Sequence, residues 1–269
     1  MNFSQKIETA VKKNNSLLCV GLDPNPEKIP SHVKNIFEFN KKIVDSTKDL
    51  VCAFKPNSAF YEAEGPSAIQ ALKDTCTYIK STSPDVPIIL DYKRADIGNT
   101  NRGYISYAFE YLGVDAVTVH PYMGRESLQP YLDLKNKGII VLCRTSNPGA
   151  GEFQDLETNG KKLYEIVAET VRDKWNENNN CALVVGAPYP DQLAAIRKSM
   201  GEEMLFLVPG IGAQGGDVEK TVKAGVTKKG KGIIVNSSRG IIYASNDTDY
   251  PGAARKVAIE LRDEINKYR

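Results

Sequence analysis

Asp91, Lys93 and Asp96 crowd into one short run near the middle of the chain, Pro87-Ile-Ile-Leu-Asp-Tyr-Lys-Arg-Ala-Asp-Ile-Gly-Asn-Thr100. A lysine beside a carboxylate is held charged and aimed, which is what a proton donor requires. The apolar residues from Val86 to Leu90 read as a buried parallel strand that delivers this group at its end. Alternation along the strand places Asp91 and Lys93 on one face, a few residues from the rim where Asp96 falls. The plain alternative is a solvated strand end opening into a helix, and an isolated D-x-K-x-x-D does not decide between the two.

A second chemically suggestive stretch is Gly210-Ile-Gly212-Ala-Gln-Gly215, followed downstream by Asn236-Ser-Ser-Arg239. The glycine spacing fits a dinucleotide fingerprint, but it follows a late strand and lacks an acidic residue about 20 positions on. Position favours a phosphate grip: glycines let backbone N–H groups approach an anion, and Arg239 supplies a bidentate fork. A flexible turn and a surface arginine remain the alternative. His120 has no second histidine or carboxylate at metal spacing, so it reads as an ordinary strand-end histidine. The segment Thr145–Gln154 is long, glycine-rich and placed to serve as a lid. The cysteines (Cys19, Cys52, Cys76, Cys143, Cys181) form no C-x-x-C, and read as buried free thiols rather than disulfides or metal ligands.

Eight strand-like runs must carry these groups: Leu17–Leu22, Val51–Lys55, Pro87–Lys93, Ala116–His120, Gly138–Arg144, Ala182–Gly186, Met204–Pro209 and Gly232–Asn236. Amphipathic helical segments alternate with them, at Ser67–Tyr78, Glu126–Leu134, Gly160–Trp175, Pro190–Met200, Asp217–Ala224 and Pro251–Tyr268. The expected fold class is α/β, a (β/α)8 TIM barrel forming a single catalytic domain over residues 1–269, with an open doubly wound sheet as the alternative. Polar residues concentrate at the strand ends: Asp23, Lys55 with Asn57, Asp91 with Lys93, Arg144, Gln214 in the stretch after Pro209, and Arg239. In a barrel those ends form the functional face.

Composition narrows the partners. With 41% hydrophobic and 25% charged residues the chain is ordinary for a globular protein, and a net charge of +2 gives no basic footprint for nucleic acid. The N-terminal Met-Asn-Phe-Ser-Gln-Lys stretch lacks an apolar core of signal-peptide length, and no run is long enough to span a bilayer. A cytoplasmic protein with no membrane partner is expected.

The motif Leu90-Asp-Tyr-Lys-Arg-Ala-Asp-Ile-Gly-Asn-Thr100, with Phe54-Lys-Pro-Asn57 before it and Pro209-Gly-Ile-Gly-Ala-Gln-Gly-Gly216 and Asn236-Ser-Ser-Arg-Gly240 after it, resembles the orotidine 5'-phosphate decarboxylase family, in its longer-chain bacterial subgroup. The likeness runs from Leu17 to about Ser245. It implies a homodimer with shared active sites that decarboxylates orotidine 5'-monophosphate to uridine 5'-monophosphate without cofactor or metal, the last step of de novo pyrimidine synthesis. By motif, Lys93 is the implied proton donor to C6, Asp91 faces the substrate carboxylate, and Lys55 binds ribose and holds Asp91. Asp96, Ile97 and Thr100 reach into the neighbouring subunit's site. The implied substrate-binding set further includes Asp23 and Asn57, with Ser146 on the pyrimidine edge and Pro209 against the ring. Gln214 and Arg239 grip the phosphate, with backbone help near Ser238. Two local departures stand out: Asn236-Ser-Ser-Arg-Gly replaces the Gly-Arg-Pro ending of short-chain members, and the lid sequence differs. A magnesium-dependent sugar-phosphate decarboxylase or aldolase on the same barrel is the nearest rival, and an inactive nucleotide-binding barrel the second.

Overall fold

A computed structural model describes residues 1–211 and 216–269 of the chain. Eight parallel strands run in order around the sheet: β1 (Leu18–Leu22), β2 (Ala53–Pro56), β3 (Ile89–Arg94), β4 (Ala116–Val119), β5 (Gly138–Arg144), β6 (Cys181–Val185), β7 (Leu205–Pro209) and β8 (Ile233–Ser237). β1 pairs with both β2 and β8, and parallel bridges from Phe54 to Ile88 and from Asn57 to Asp91 bring β2 to β3. The ring thereby closes, and the open-sheet alternative is set aside.

Strand alternation sorts the apolar residues into two layers. Cys19, Ala53, Ile89, Ala116, Ile140, Ala182, Leu207 and Ile234 face inward and form one buried cluster inside the barrel. Their neighbours, among them Leu18, Val20, Phe54, Leu90, Val117 and Val235, face outward against the helices. The principal helices are α1 (Phe3–Asn14), α2 (Ile36–Thr47), α3 (Pro66–Thr82), α4 (Gly98–Ile105), α5 (Gly124–Leu132), α6 (Leu163–Thr170), α7 (Pro190–Met200), α8 (Val218–Gly225) and α9 (Tyr250–Lys267). Among the described residues, no helix is long and apolar enough to cross a membrane.

Helix α1 closes the barrel floor. Asn2 and Gln5 form a reciprocal capping box at its start, both bonds 2.9 Å, which satisfies N–H groups left open at a helix N-terminus. Phe3, Ile7 and Ala10 then point into the interior cluster. Gly138 makes room for the plug, because a Cβ there would lie 2.3 Å from Phe3 Cδ1.

Two local differences from the sequence reading have clear causes. The segment expected to be helical from Gly160 starts its helix at Leu163, because Glu157–Thr158 and Lys161–Lys162 form a small antiparallel hairpin. Asn159 (φ 52°) and Gly160 (φ 74°) make its turn, and Asn-Gly suits the two left-handed positions such a turn needs. The second difference lies in β3, where pairing with β4 jumps from Leu90–Val117 to Arg94–Val119. Asp91, Tyr92 and Lys93 therefore sit on a bulge, and Lys93 has φ 48°. A long side chain in the left-handed region is strained, a cost that tends to be tolerated at functional sites.

Candidate active site

The inward positions one step above the apolar floor carry charge. Lys55 follows Ala53, Asp91 follows Ile89, and Thr118 follows Ala116, each two residues on and so on the same face. Lys55 Nζ lies 2.9 Å from Asp91 Oδ2, and Lys93 Nζ lies 2.6 Å from Asp91 Oδ1. Thr118 fixes the bulge from the neighbouring strand: its hydroxyl donates to Asp91 Oδ1 at 2.9 Å and accepts from the Lys93 N–H at 3.0 Å. The Lys93 side chain is 48% exposed towards the cleft, whereas those of Lys55 and Asp91 are 4% and 12% exposed. Asp91 and Lys93 thus meet as expected, but through a bulge locked by Thr118 rather than by plain alternation.

Burial alone would raise the Asp91 pKa, but the ammonium groups of Lys55 and Lys93 overcome it and hold the carboxyl well below the usual carboxylate range. Burial likewise opposes charge on Lys55, and Asp91 and Asp23 reverse that effect, so its pKa is raised. Lys55 is thus balanced by Asp91 and Asp23, and the half-exposed Lys93 is the ammonium that this cluster presents to the cleft.

The linkage of Asp91 has a definite sign. A carboxyl that ionises more readily folded than unfolded stabilises the fold above its unfolded pKa of about 4, and loses that contribution as pH falls through the folded value. The stability advantage of wild type over Asp91→Asn is expected to shrink as pH is lowered from about 6 to about 3. Urea midpoints across that range check this, and an advantage that widens on acidification contradicts it.

A second cluster occupies the β1 and β8 ends. Asp23 Oδ2 accepts from Ser238 Oγ at 2.6 Å, and Asp23 Oδ1 accepts from the Asn57 N–H at 3.2 Å. Gly21 permits this approach, because a Cβ there would stand 2.6 Å from Ser238 Cβ. Tyr243, one helical turn beyond Arg239, donates its hydroxyl to the Asp23 carbonyl at 3.0 Å and accepts from the Asn25 N–H at 2.5 Å.

Both clusters open into one cleft of about 660 Å³ at the carboxyl ends of the strands. Ser146, Pro209 and Arg239 line it, with Leu142, Val184 and Leu207 as its apolar wall. Ser146 packs on Gly186, where a Cβ would fall 2.7 Å from the Ser146 Cα. Gln214 lies outside the described residues. Asp96, Ile97 and Thr100 do not line the cleft, and Ile97 is 58% exposed. Asp96 is set by α4's entry: its N–H donates to Asn101 Oδ1 at 2.9 Å and its Oδ1 accepts from the Ile97 N–H at 2.7 Å. His120 is likewise absent from the lining. Among the described residues, no three His, Cys, Asp or Glu side chains group as a metal site.

Sequence reasoning missed several lining residues. Thr118 is hidden in the ordinary strand run Ala-Val-Thr-Val, and only adjacency of β3 and β4 reveals its contacts. Asn236 is buried on β8 and faces the cleft, and its Oδ1 has no hydrogen-bond partner among the described residues. Lys28 and Tyr243 enter from the loops after β1 and β8.

The model of the orotidine 5'-phosphate decarboxylase / HUMPS family matches residues 16–251. The chain belongs to this family. The orotidine 5'-phosphate decarboxylase / HUMPS match takes in every described charged residue of the cleft, from Asp23 to Arg239. The chain is 52% identical over 275 residues to the orotidine 5'-phosphate decarboxylase of Cellvibrio japonicus, with all of both chains covered. Among solved structures it is similar to the OMP decarboxylase of Leishmania donovani, with TM-score 0.85, 36% identity and 98% and 99% of the two chains covered. It is also similar to Leishmania donovani UMP synthase, with TM-score 0.87 and 38% identity, where it spans 57% of that longer chain and 99% of its own length is covered. Family membership and the barrel therefore rest on the whole chain rather than on one motif.

Proposed function

We propose that this chain decarboxylates orotidine 5'-monophosphate to uridine 5'-monophosphate and carbon dioxide, as a carboxy-lyase of pyrimidine biosynthesis. The observation that carries the reading is the buried Asp91 carboxylate held between Lys55 and Lys93, at 2.9 and 2.6 Å. Loss of carbon dioxide from C6 leaves a vinylic carbanion that the ring delocalises poorly, so stabilisation must come from preorganised charge. The Lys93 ammonium supplies that charge and then the proton to C6. Asp91 keeps Lys93 aimed, and Lys55 keeps Asp91 in place. Thr118 holds the bulged backbone from which Lys93 projects.

The other residues bind the remote parts of the nucleotide. Asp23, with Asn57 and Ser238 around it, takes the ribose; Ser146 and Pro209 take the pyrimidine; Gln214 and Arg239 take the phosphate. Phosphate binding energy then orients the ring and closes the loop after β5. The 52% identity to an orotidine 5'-phosphate decarboxylase favours this substrate over the sugar phosphates within reach of the fold.

The working unit is proposed to be a homodimer with shared sites, in the cytoplasm. Asp96, Ile97 and Thr100 lie off their own cleft at the rim, and the exposed side chains of Ile97, Tyr122 and Met123 at the ends of β3 and β4 give that rim an apolar component. Buried free thiols at all of the cysteines suit a reducing compartment.

Loss of orotidylate absorbance with purified protein tests the function, run with and without EDTA. Turnover insensitive to the chelator is expected; a protein inert on orotidylate but active on a sugar phosphate with magnesium overturns the reading. Arg239→Ala separates binding from chemistry: it is expected to lower kcat/KM by about 3 kcal/mol, roughly a hundredfold, as for a lost charge-assisted contact. On the phosphate-free nucleoside the same change should do almost nothing. Equal losses on both substrates contradict the phosphate role.

A further inference from the structure

The loop after β5 places Thr145, Ser146, Asn147 and Gln154 on the cleft. It is bonded to itself: the Thr145 N–H donates to Gln154 Oε1 at 2.9 Å, Gln154 Nε2 donates to Thr145 Oγ1 at 2.9 Å, and Thr145 Oγ1 donates to Asn147 Oδ1 at 2.7 Å. Its two feet are Arg144 and Asp155, which immediately precede and follow it, and these two side chains meet. Arg144 Nη2 donates to Asp155 Oδ2 at 3.1 Å, and Arg144 Nε stands 3.0 Å from Oδ1. Arg144 Nη1 also donates to the Thr145 carbonyl at 3.1 Å.

The guanidinium is out of water: the Arg144 side chain is 3% exposed and lies 4.0 Å over the ring of Tyr189, from the loop after β6. Tyr189 reaches the same loop from outside, its hydroxyl donating to the Asn147 carbonyl at 3.4 Å. Gly151 gives the carboxylate its place, since a Cβ there would fall 2.7 Å from Asp155 Oδ2. Nη2 alone hydrogen-bonds the carboxylate, while Nε stands close to it without a hydrogen-bond partner among the described residues. That one bond, the ion pair and the stacking on Tyr189 together hold the guanidinium in place.

We propose that Arg144, clasped to Asp155 across the feet of the loop and seated on Tyr189, is a positioning residue that sets Ser146 against the bound nucleotide. Arg144 does not line the cleft, so it acts only through the loop it closes. Closing both feet removes conformations the ten-residue loop would otherwise sample, and leaves Ser146 in one place when substrate arrives. The inference rests on the orotidylate reading above.

A double-mutant cycle on kcat/KM for orotidylate tests it, with active sites counted by nucleotide binding. Asp155→Asn keeps the shape and removes the charge. Because it leaves the buried Arg144 without its carboxylate, circular dichroism and the count of nucleotide-binding sites establish that the variant is folded before its kinetics are read. It should lower kcat/KM by about 10- to 100-fold, the scale of a small misplacement of a binding group. Arg144→Lys, which keeps charge but loses the fork and the stacking, should fall in the same direction. In a Ser146→Ala background Asp155→Asn should cost less than about threefold, because the positioned group is already gone. Asp155→Glu should recover part of the loss. Equal losses in both backgrounds, or no loss in either, overturn the positioning role while wild-type turnover stands. A wild-type protein that does not turn over orotidylate overturns the functional reading and the clasp with it.

Discussion

Lys93→Ala is expected to lower kcat on orotidylate by on the order of 10⁴-fold or more while the protein stays folded and still binds a nucleotide monophosphate. Two effects are lost together. General-acid transfer contributes about 10²- to 10⁴-fold, and removal of one preorganised charge from a developing anion costs about 10²- to 10³-fold. The fold should survive, because the Lys93 side chain is half-exposed and Asp91 retains Lys55 at 2.9 Å and Thr118 at 2.9 Å. Steady-state kcat beside nucleotide binding checks both halves. A variant that keeps a tenth of wild-type turnover removes Lys93 from the chemistry.

Mixed dimers give the second large effect. Lys93→Ala and Asp96→Ala homodimers should each be nearly inactive. Asp91 and Lys93 converge inside their own cleft, whereas Asp96 stays off it, bonded into the start of α4. If Asp96 serves a partner, denaturing and remixing equal amounts yields about half hybrid dimers under random two-fold assembly. In each hybrid one site carries both lesions and the other carries neither. About a quarter of all sites then work, so activity should return to roughly that fraction of wild type. Hybrids that form and yet restore nothing confine Asp96 to its own subunit.

The barrel was legible because its strands are short apolar runs that end in charge, and that ending marks the catalytic face. Lys55, Asp91 and Asp23 could be placed from strand position alone, since each inward-facing site follows a small or apolar interior residue by two. The backbone at Lys93 could not. Period-two reasoning puts Asp91 and Lys93 together by alternation, whereas the chain brings them together on a bulge with φ 48° at Lys93. No property of a lysine announces a left-handed conformation. The lock on that bulge, Thr118, was equally hidden, since a threonine in a strand is ordinary until the neighbouring strand is known. By contrast, Asn159-Gly160 carries an explicit turn signal at the very start of the expected helix, and the hairpin there follows from it. The α1 plug is not among the helices expected from sequence, although Phe3, Ile7 and Ala10 lie on one helical face. The clasp of Arg144 on Asp155 depends on how a loop folds back, and sequence separation alone says nothing about that.

Turnover of orotidylate in deuterium oxide tests the central claim most directly, with wild type and Lys93→Ala compared at matched active-site concentration. The account predicts stoichiometric carbon dioxide and uridine 5'-monophosphate carrying one deuteron at C6 from wild type, and almost no product from the variant. Folded, nucleotide-binding wild-type protein that releases no carbon dioxide from orotidylate, or a variant that forms the C6-deuterated product at a comparable rate, contradicts it.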